Sequence, residues 1–396
     1  MNPTTAKAPI RYLKSSNFLR TWSEGQCEVC ALEGVRLSSA RLAPPVAHYG
    51  VRAVPARTTR EAPPRQRKEV GPYLNTFNAA FKAADKISAF SAWLKSPTPS
   101  TSAPQVKKAL APPVKKVPPF DIQDVPNAMR KVGMPIAAKL QERWFAGAAN
   151  YSRSDQDLRD EINQNGKRYA SAMVDTTTIK LKWVRSFSRA EKAFDELIGE
   201  SLGSPEALKI LKSKLMPYRH RQDIRSWSAA NSNLLEFHQK FQFQYIPVNA
   251  SWGARIAQFL ERSFNADGVP DDLTGALGTF NFYAAVRYAR FADAGRTAFV
   301  DEVSVYVRDP YAFTDEQYLG HWSASHVAVV PAHQVAGGWL NYPVVDVSVY
   351  DKDNVLYPVT NKDYRDWRKQ HGQGGDFMIY TDRRTVRLDS PIRVAF

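Results

Sequence analysis

The sequence predicts an α+β fold, with a helical subdomain carrying short strands over residues 120–270 and a mainly antiparallel β-rich domain over 271–396. A flexible, disordered basic arm over residues 1–119 precedes both. Three observations predict this division. Residues 1–119 hold 19 Lys and Arg against 6 Asp and Glu, and 15 of the chain's 26 prolines, so the arm carries +13 of the net +15. From Phe120 apolar residues recur at three- and four-residue intervals, as on one face of a helix. After Leu277 they mostly alternate, as on strands.

A Pro- and Lys-rich stretch such as 96–119 buries too little apolar surface to offset its ordering entropy and is expected to act as an extended linker. Basic arms bind acidic surfaces, such as nucleic acid, anionic lipid or an acidic groove on a carrier protein. No module with interleaved aromatic residues is visible, which ranks nucleic acid below a carrier or a membrane surface. Within the arm, Phe77, Phe81, Ile87, Phe90 and Trp93 give residues 73–94 a short amphipathic segment. The start of the chain lacks an apolar signal core, and no run of about 18 apolar residues exists to span a bilayer. Cys27 and Cys30 form one C-x-x-C, readable as half a zinc site, a redox pair or two reduced thiols. The nearest histidine is His48 and the next His220, so a structural zinc spacing is absent and the pair is left out of the mechanism.

From Pro126 to Phe145, Met129, Val132, Ile136, Leu140 and Trp144 predict a helix that Gly133 and Pro135 split in two. Residues 155–169 read as a polar helix. Residues 177–184 read as a strand, with Ile179, Leu181 and Trp183 alternating against Lys180 and Lys182. Helices follow at 190–200 and 205–216, the second capped by Ser204 with Pro205 in its first turn. A helix from Ser232 gives way to a strand over 241–248, with Phe243, Tyr245 and Val248 as core candidates, and 256–264 is a short amphipathic helix. Strands are expected at 279–290, 297–308, 326–330, 344–350, 355–359, 376–380 and 385–388. A helical turn at 364–369 precedes the loop Gly372-Gln373-Gly374-Gly375, which lacks the lysine and the strand–helix setting of a phosphate cradle.

No nucleophile elbow, H-E-x-x-H pair or P-loop is present, so the common hydrolase, zinc-peptidase and nucleotide-binding readings have no motif support. His321, His326, His333 and His371 are candidate bases near neutral pH. His321 stands out by its place between Gly320 and Trp322. Asp309 stands out among the carboxylates because, at a strand end beside Pro310 and Tyr311, its carboxylate and the phenol can face one cleft.

The order of parts from Gly278 to Trp322 resembles the toxin domain of the colicin M family. Two strand-like segments run into Asp309-Pro310-Tyr311-Ala312-Phe313 and then Leu319-Gly320-His321-Trp322, where that family carries an Asp-x-Tyr-Asp-Phe motif and a Leu-Gly-x-Trp. The resemblance implies a colicin M-like sheet and a phosphodiesterase acting on a lipid-linked peptidoglycan precursor. Asp309 would then act as base or hold a divalent cation such as Mg, Tyr311 and Arg308 would hold phosphates, and His321 would transfer a proton. Ala312 stands where the family has its second Asp, and no His-Arg pair follows.

The region from Phe120 onward also resembles an uncharacterised proteobacterial family found beside type VI secretion genes. The residues that carry it include Arg143-Trp144-Phe145, Glu236-Phe237-His238, Tyr306-Val307-Arg308 and Gly374-Gly375-Asp376-Phe377. It implies an antibacterial effector made in the bacterial cytoplasm and exported without a signal peptide into the periplasm of a target cell. Its partners would be a secretion spike or carrier protein held through the basic arm, a lipid-linked envelope substrate and an immunity protein. The alternative is a non-enzymatic secretion adaptor, a structural protein-binding module.

Overall fold

The computed structural model describes residues 12–15, 20–23, 37–47, 49, 120–248, 271–314, 317–325, 327–328, 349–351 and 354–396. Several expectations lie outside these residues: the amphipathic segment at 73–94, the Cys27 and Cys30 pair, the helix at 256–264, and His326 and His333.

Two short antiparallel strands, β1 (Tyr12–Ser15) and β2 (Arg20–Ser23), stand near the start of the chain. Residues 37–47 lie against the folded region. Ser38 N–H donates to the Phe120 carbonyl at 2.8 Å, Ile122 N–H returns to the Ser38 carbonyl at 2.9 Å, and Ala47 N–H donates to the Ala146 carbonyl at 2.8 Å. His371 Nε2 donates to the Ser39 carbonyl at 2.8 Å, so this histidine fastens the strap.

The predicted split helix is present as α1 (Val125–Lys131) and α2 (Pro135–Ala146), with Gly133 at φ +84° between them. The cap of α2 comes from far away: the Asp272 carboxylate accepts from the N–H groups of Ile136 and Ala137 at 2.9–3.0 Å. The polar helix is only α3 (Asp155–Arg159), because Leu158 and Ile162 alone give the rest too little apolar face. The chain turns instead at Glu161, whose φ is +54°, and β3 (Val174–Asp175) follows.

The strand expected over 177–184 is corrected to a turn followed by α4 (Leu181–Val184). Asp175 accepts from Thr177 N–H and Thr178 N–H, and Asp382 accepts from Leu181 N–H at 2.8 Å. These contacts favour helix where Leu181 and Val184 fit either period.

The helices α5 (Ser188–Gly199) and α6 (Pro205–Leu215) follow, and Ser204 caps α6 by accepting from Ala207 N–H. Then come β4 (Asp223–Arg225), α7 (Ser226–Ala229), α8 (Leu234–Phe241) and β5 (Gln242–Val248). A register shift between Gln242 and Gln244 changes the parity of β5. Phe243, Ile246 and Val248 are therefore buried and Tyr245, expected in the core, is 54% exposed.

After α9 (Asp272–Leu277), the long strands β6 (Phe280–Ala292) and β7 (Thr297–Tyr311) form the centre of a seven-stranded sheet. The strands β8 (Tyr318–Trp322), β9 (Val327–Ala328), β10 (Val349–Asp351) and β11 (Asn354–Thr360) make a second, antiparallel sheet. The helix α10 (Asn361–His371) leads to β12 (Phe377–Tyr380) and β13 (Arg384–Ala395), which both pair with β7. On the other side of the pair, β4 and β5 flank β6. Apart from the parallel pair β3–β12, the pairings among these thirteen strands are antiparallel, and α5 and α6 lie over β5. The molecule is α+β, as expected. Among the described residues no helix is long and apolar enough to cross a membrane.

The loop after α10 is a close-approach turn. Gly372 closes the helix at φ +63°, and Gly374, at φ +100°, brings its Cα against Trp144 so tightly that a Cβ would lie 2.6 Å from the indole. Gly374→Ala is expected to cost about 2 kcal/mol or more from backbone strain and overpacking together, read as a fall in denaturant midpoint. Gly372→Ala, where no atom lies within 4 Å of the added Cβ, should cost less.

Candidate functional site

The end of β7 opens into a cavity of about 410 Å³. Asp309 and Tyr311, two residues apart on one face of the strand, both line it, as their spacing implied. Ala312 and Phe313 continue the wall. Met129 of α1, Met134, Gln141 of α2, and α9 with its Gly278 turn form a second side. Leu319, Gly320 and Trp322 of β8, with Asn361 and Tyr364 of α10, close the third.

Two of the four expected site residues are elsewhere. Alternation along β7 turns Arg308 to the opposite face, where its guanidinium donates to Glu161 Oε1 at 3.0 Å, to Tyr380 Oη at 2.9 Å and to the Arg159 carbonyl at 2.7 Å. Tyr380 Oη donates to the same Glu161 oxygen at 2.6 Å. Arg308 is thus the centre of a buried ion pair and does not join Tyr311 in holding a ligand. His321 is fully buried on β8, paired in register with Pro358 and Ala328. Its strand neighbours Gly320 and Trp322 line the cavity and it does not, the alternation placing it on the other face.

The electrostatics of the cavity follow from burial. Asp309 is reached through the cavity, yet its carboxyl is surrounded by protein, and desolvation raises its pKa well above the ordinary value; Arg308, behind the strand, opposes this. No hydrogen bond to another described residue offsets the cost. Burial also raises the phenols of Tyr311 and Tyr364 above their ordinary values. Both hydroxyls lie near the Gln141 amide, but the Gln141 Oε1 and the Tyr364 hydroxyl lack a partner at hydrogen-bonding geometry. Both atoms are buried behind the cavity wall, without accessible surface of their own.

Asp309 is the one acidic side chain among the described residues lining the cavity, and no group of three His, Cys, Asp or Glu suited to a metal ion occurs among the described residues. Among the described residues, Asp309 has no further donor set around it to hold the expected divalent cation. Its raised pKa has a sign that can be tested. Between the ordinary carboxylate pKa and the raised one, the folded state binds more protons than the unfolded state, so Asp309 lowers stability as pH rises. Asp309→Asn is expected to melt higher than the parent at neutral pH, with the gap shrinking toward about pH 4. A gap independent of pH would contradict the burial of the carboxyl.

Gln141 and Tyr364 were not foreseen as site residues. The signal for Gln141 was present: it sits three residues before Trp144 on the apolar face of a helix, where a polar side chain is costly unless paired. The residues that carried the two resemblances are mostly packing. Trp144 Nε1 donates to Asp376 Oδ1 at 2.8 Å, Phe313 stacks on Tyr364 at 3.9 Å, and Tyr311 stacks on Phe377 at 5.0 Å. His238 Nδ1 lies 2.9 Å from Tyr306 Oη, and burial moves this histidine down to about 3, so it stays neutral.

A family model described as "Family of unknown function (DUF6402)" matches residues 120–396. No curated protein matches the chain. No solved structure matches it either.

Proposed function

Because the chain belongs over residues 120–396 to the DUF6402 family, a family of unknown function, we propose its role from its own residues: the folded region is a binding module that takes a small, largely apolar group into the cavity at the end of β7. The observation that carries this reading is the cavity of about 410 Å³ itself, walled mainly by methionine, leucine, aromatic and small residues, with Asp309, Thr274, Thr279, Gln317 and Asn361 among its polar members. A pyrophosphate is a poor fit. The described residues lining the cavity include no Lys, Arg or His to neutralise it, and Arg308 is committed to Glu161.

The test is calorimetric titration of the full chain with benzyl alcohol, a small apolar probe with one hydroxyl. Binding by the parent, lost in Ala312→Phe, whose ring would occupy the cavity, supports the module. Equal binding by both proteins places the probe elsewhere and sinks the reading.

A second reading is favoured by one specific observation, that Asp309 and Tyr311 do share a cavity. In it the chain is a type VI secretion-associated antibacterial effector acting in the target envelope, with the basic arm engaging the carrier. Growth and lysis of bacteria that express the chain with a periplasmic signal, beside Asp309→Ala, decide between the two. Lysis lost in Asp309→Ala favours the effector. Normal growth in both leaves the binding module, and with it the adaptor role, as the better account.

A further inference from the structure

Residues 37–47 are held against the folded region mainly by its polar side chains. On one flank the turn before α1 grips them: the Asp121 carboxylate accepts from the Ser38 hydroxyl at 3.0 Å and from Arg41 N–H at 3.2 Å, and Gln123 Nε2 donates to the Arg41 carbonyl at 3.0 Å. On the other flank stand the end of α10 and its loop. Gln370 Nε2 and His371 Nε2 donate to the Ser39 carbonyl at 3.2 and 2.8 Å, and Gln373 Nε2 donates to the Pro44 carbonyl at 2.7 Å. Gln373 is 8% exposed and also donates to the Phe145 carbonyl, so the fold itself aims this amide at the segment.

Most of these groups read the main chain of the segment. Few of its side chains are engaged: Leu37 and Ala43 pack against the core, Arg41 pairs with Asp124 at 2.7 Å, and the Tyr49 ring lies 4.1 Å from the Arg143 guanidinium. Leu42 is 87% exposed and Val46 45%, and a space of about 110 Å³ remains beside Val46, Ala47 and Tyr49. Core elements fill their surroundings more closely than this. Contacts to carbonyls and N–H groups are instead how a protein takes up an extended peptide. Pro44 and Pro45 restrain the free segment, which lowers the entropy lost on docking. The gripping residues lie within 120–396, the region the family model matches, and their occupant lies outside it. None of them lines the cavity at the end of β7.

We propose that the surface between the start of α1 and the end of α10 is a peptide-binding groove, that its ligand is an extended segment of small residues and prolines with one arginine, and that residues 37–47 occupy it as a tethered ligand. The same segment supplied on a separate molecule then competes for the groove. Ser38 sets the register, its N–H donating to the Phe120 carbonyl at 2.8 Å and its carbonyl accepting from Ile122 N–H at 2.9 Å.

The full chain is prepared with residues 37–47 replaced by a Gly-Ser sequence of equal length, and a fluorescein-labelled peptide of residues 36–50 is titrated by anisotropy. The replaced chain is expected to bind the peptide at least about tenfold more tightly than the parent, in which the tethered copy competes at an effective concentration on the order of 1 mM. A peptide carrying Ser38→Pro, which lacks the N–H that meets Phe120, should bind the replaced chain at least about tenfold more weakly. Should the replaced chain fail to fold, the parent with a specific protease site inserted after Ser100 answers: cut after folding, it should exchange its N-terminal piece for the labelled peptide. Failure of the folded replaced chain to bind, equal binding by parent and replaced chain, or equal binding of the two peptides overturns the groove. So does a cut chain that takes up no labelled peptide. Each of these results leaves the cavity reading standing.

Discussion

Asp376→Ala is expected to destabilise the protein by about 3–5 kcal/mol, the usual cost of leaving one member of a buried ion pair without its counter-charge. Asp376 is 1% exposed, and its Oδ1 receives both Trp144 Nε1 at 2.8 Å and Arg368 Nη1 at 2.9 Å. It therefore ties α2 and α10 to the start of β12. Burial raises the carboxyl above its ordinary pKa, opposed by the Arg368 guanidinium and the indole N–H. After truncation Arg368 keeps the Asn150 carbonyl, at 2.8 Å, and the Trp144 and Tyr151 rings, but no counter-charge among the described residues, and it stays buried. Chemical denaturation of parent, Asp376→Ala and the double variant Asp376→Leu with Arg368→Met tests the argument. The double variant should recover part of the loss, since it removes both charges. A single-variant loss below about 1 kcal/mol would mean that the pair is solvated.

Arg308→Ala should lose a similar amount, about 3–5 kcal/mol. The guanidinium makes the only ion pair of Glu161 seen among the described residues, and Glu161 is 5% exposed on backbone at φ +54°. Without Arg308 the Glu161 carboxylate would remain buried with only the Tyr380 hydroxyl, the uncompensated charge that makes breaking a buried pair costly. Denaturant midpoints of parent and variant check the loss. A phosphate ligand would be dispensable for folding, so a fully stable Arg308→Ala would reopen the role first expected of it. Loss of any cellular effect in this variant has to be read beside its stability.

Much of the architecture was legible because it is local. The interruption at Gly133 and Pro135, the cap at Ser204, the long alternating segments that became β6 and β7, and the helix ending at Gly372 all follow from chemistry within a few residues. The failures were local patterns with two solutions. Residues 177–184 fit a strand by alternation and a helical turn by the Leu181–Val184 spacing, and Asp175 with Asp382 selected the turn. Tyr245 lost its place in the core to a register shift that composition cannot show.

The site divides in the same way. The two-residue spacing of Asp309 and Tyr311 put them on one strand face, and the same rule applied one residue further turns Arg308 away from them. The sequence by itself determined the α+β class, the concentration of positive charge ahead of Phe120, and which strand end carries a carboxylate beside a phenol. Only the tertiary structure decided what surrounds them, because Met129, Gln141, Leu277, Trp322 and Tyr364 come from five separate elements. The desolvation that raises the Asp309 pKa depends on how those elements pack together and not on any one of them.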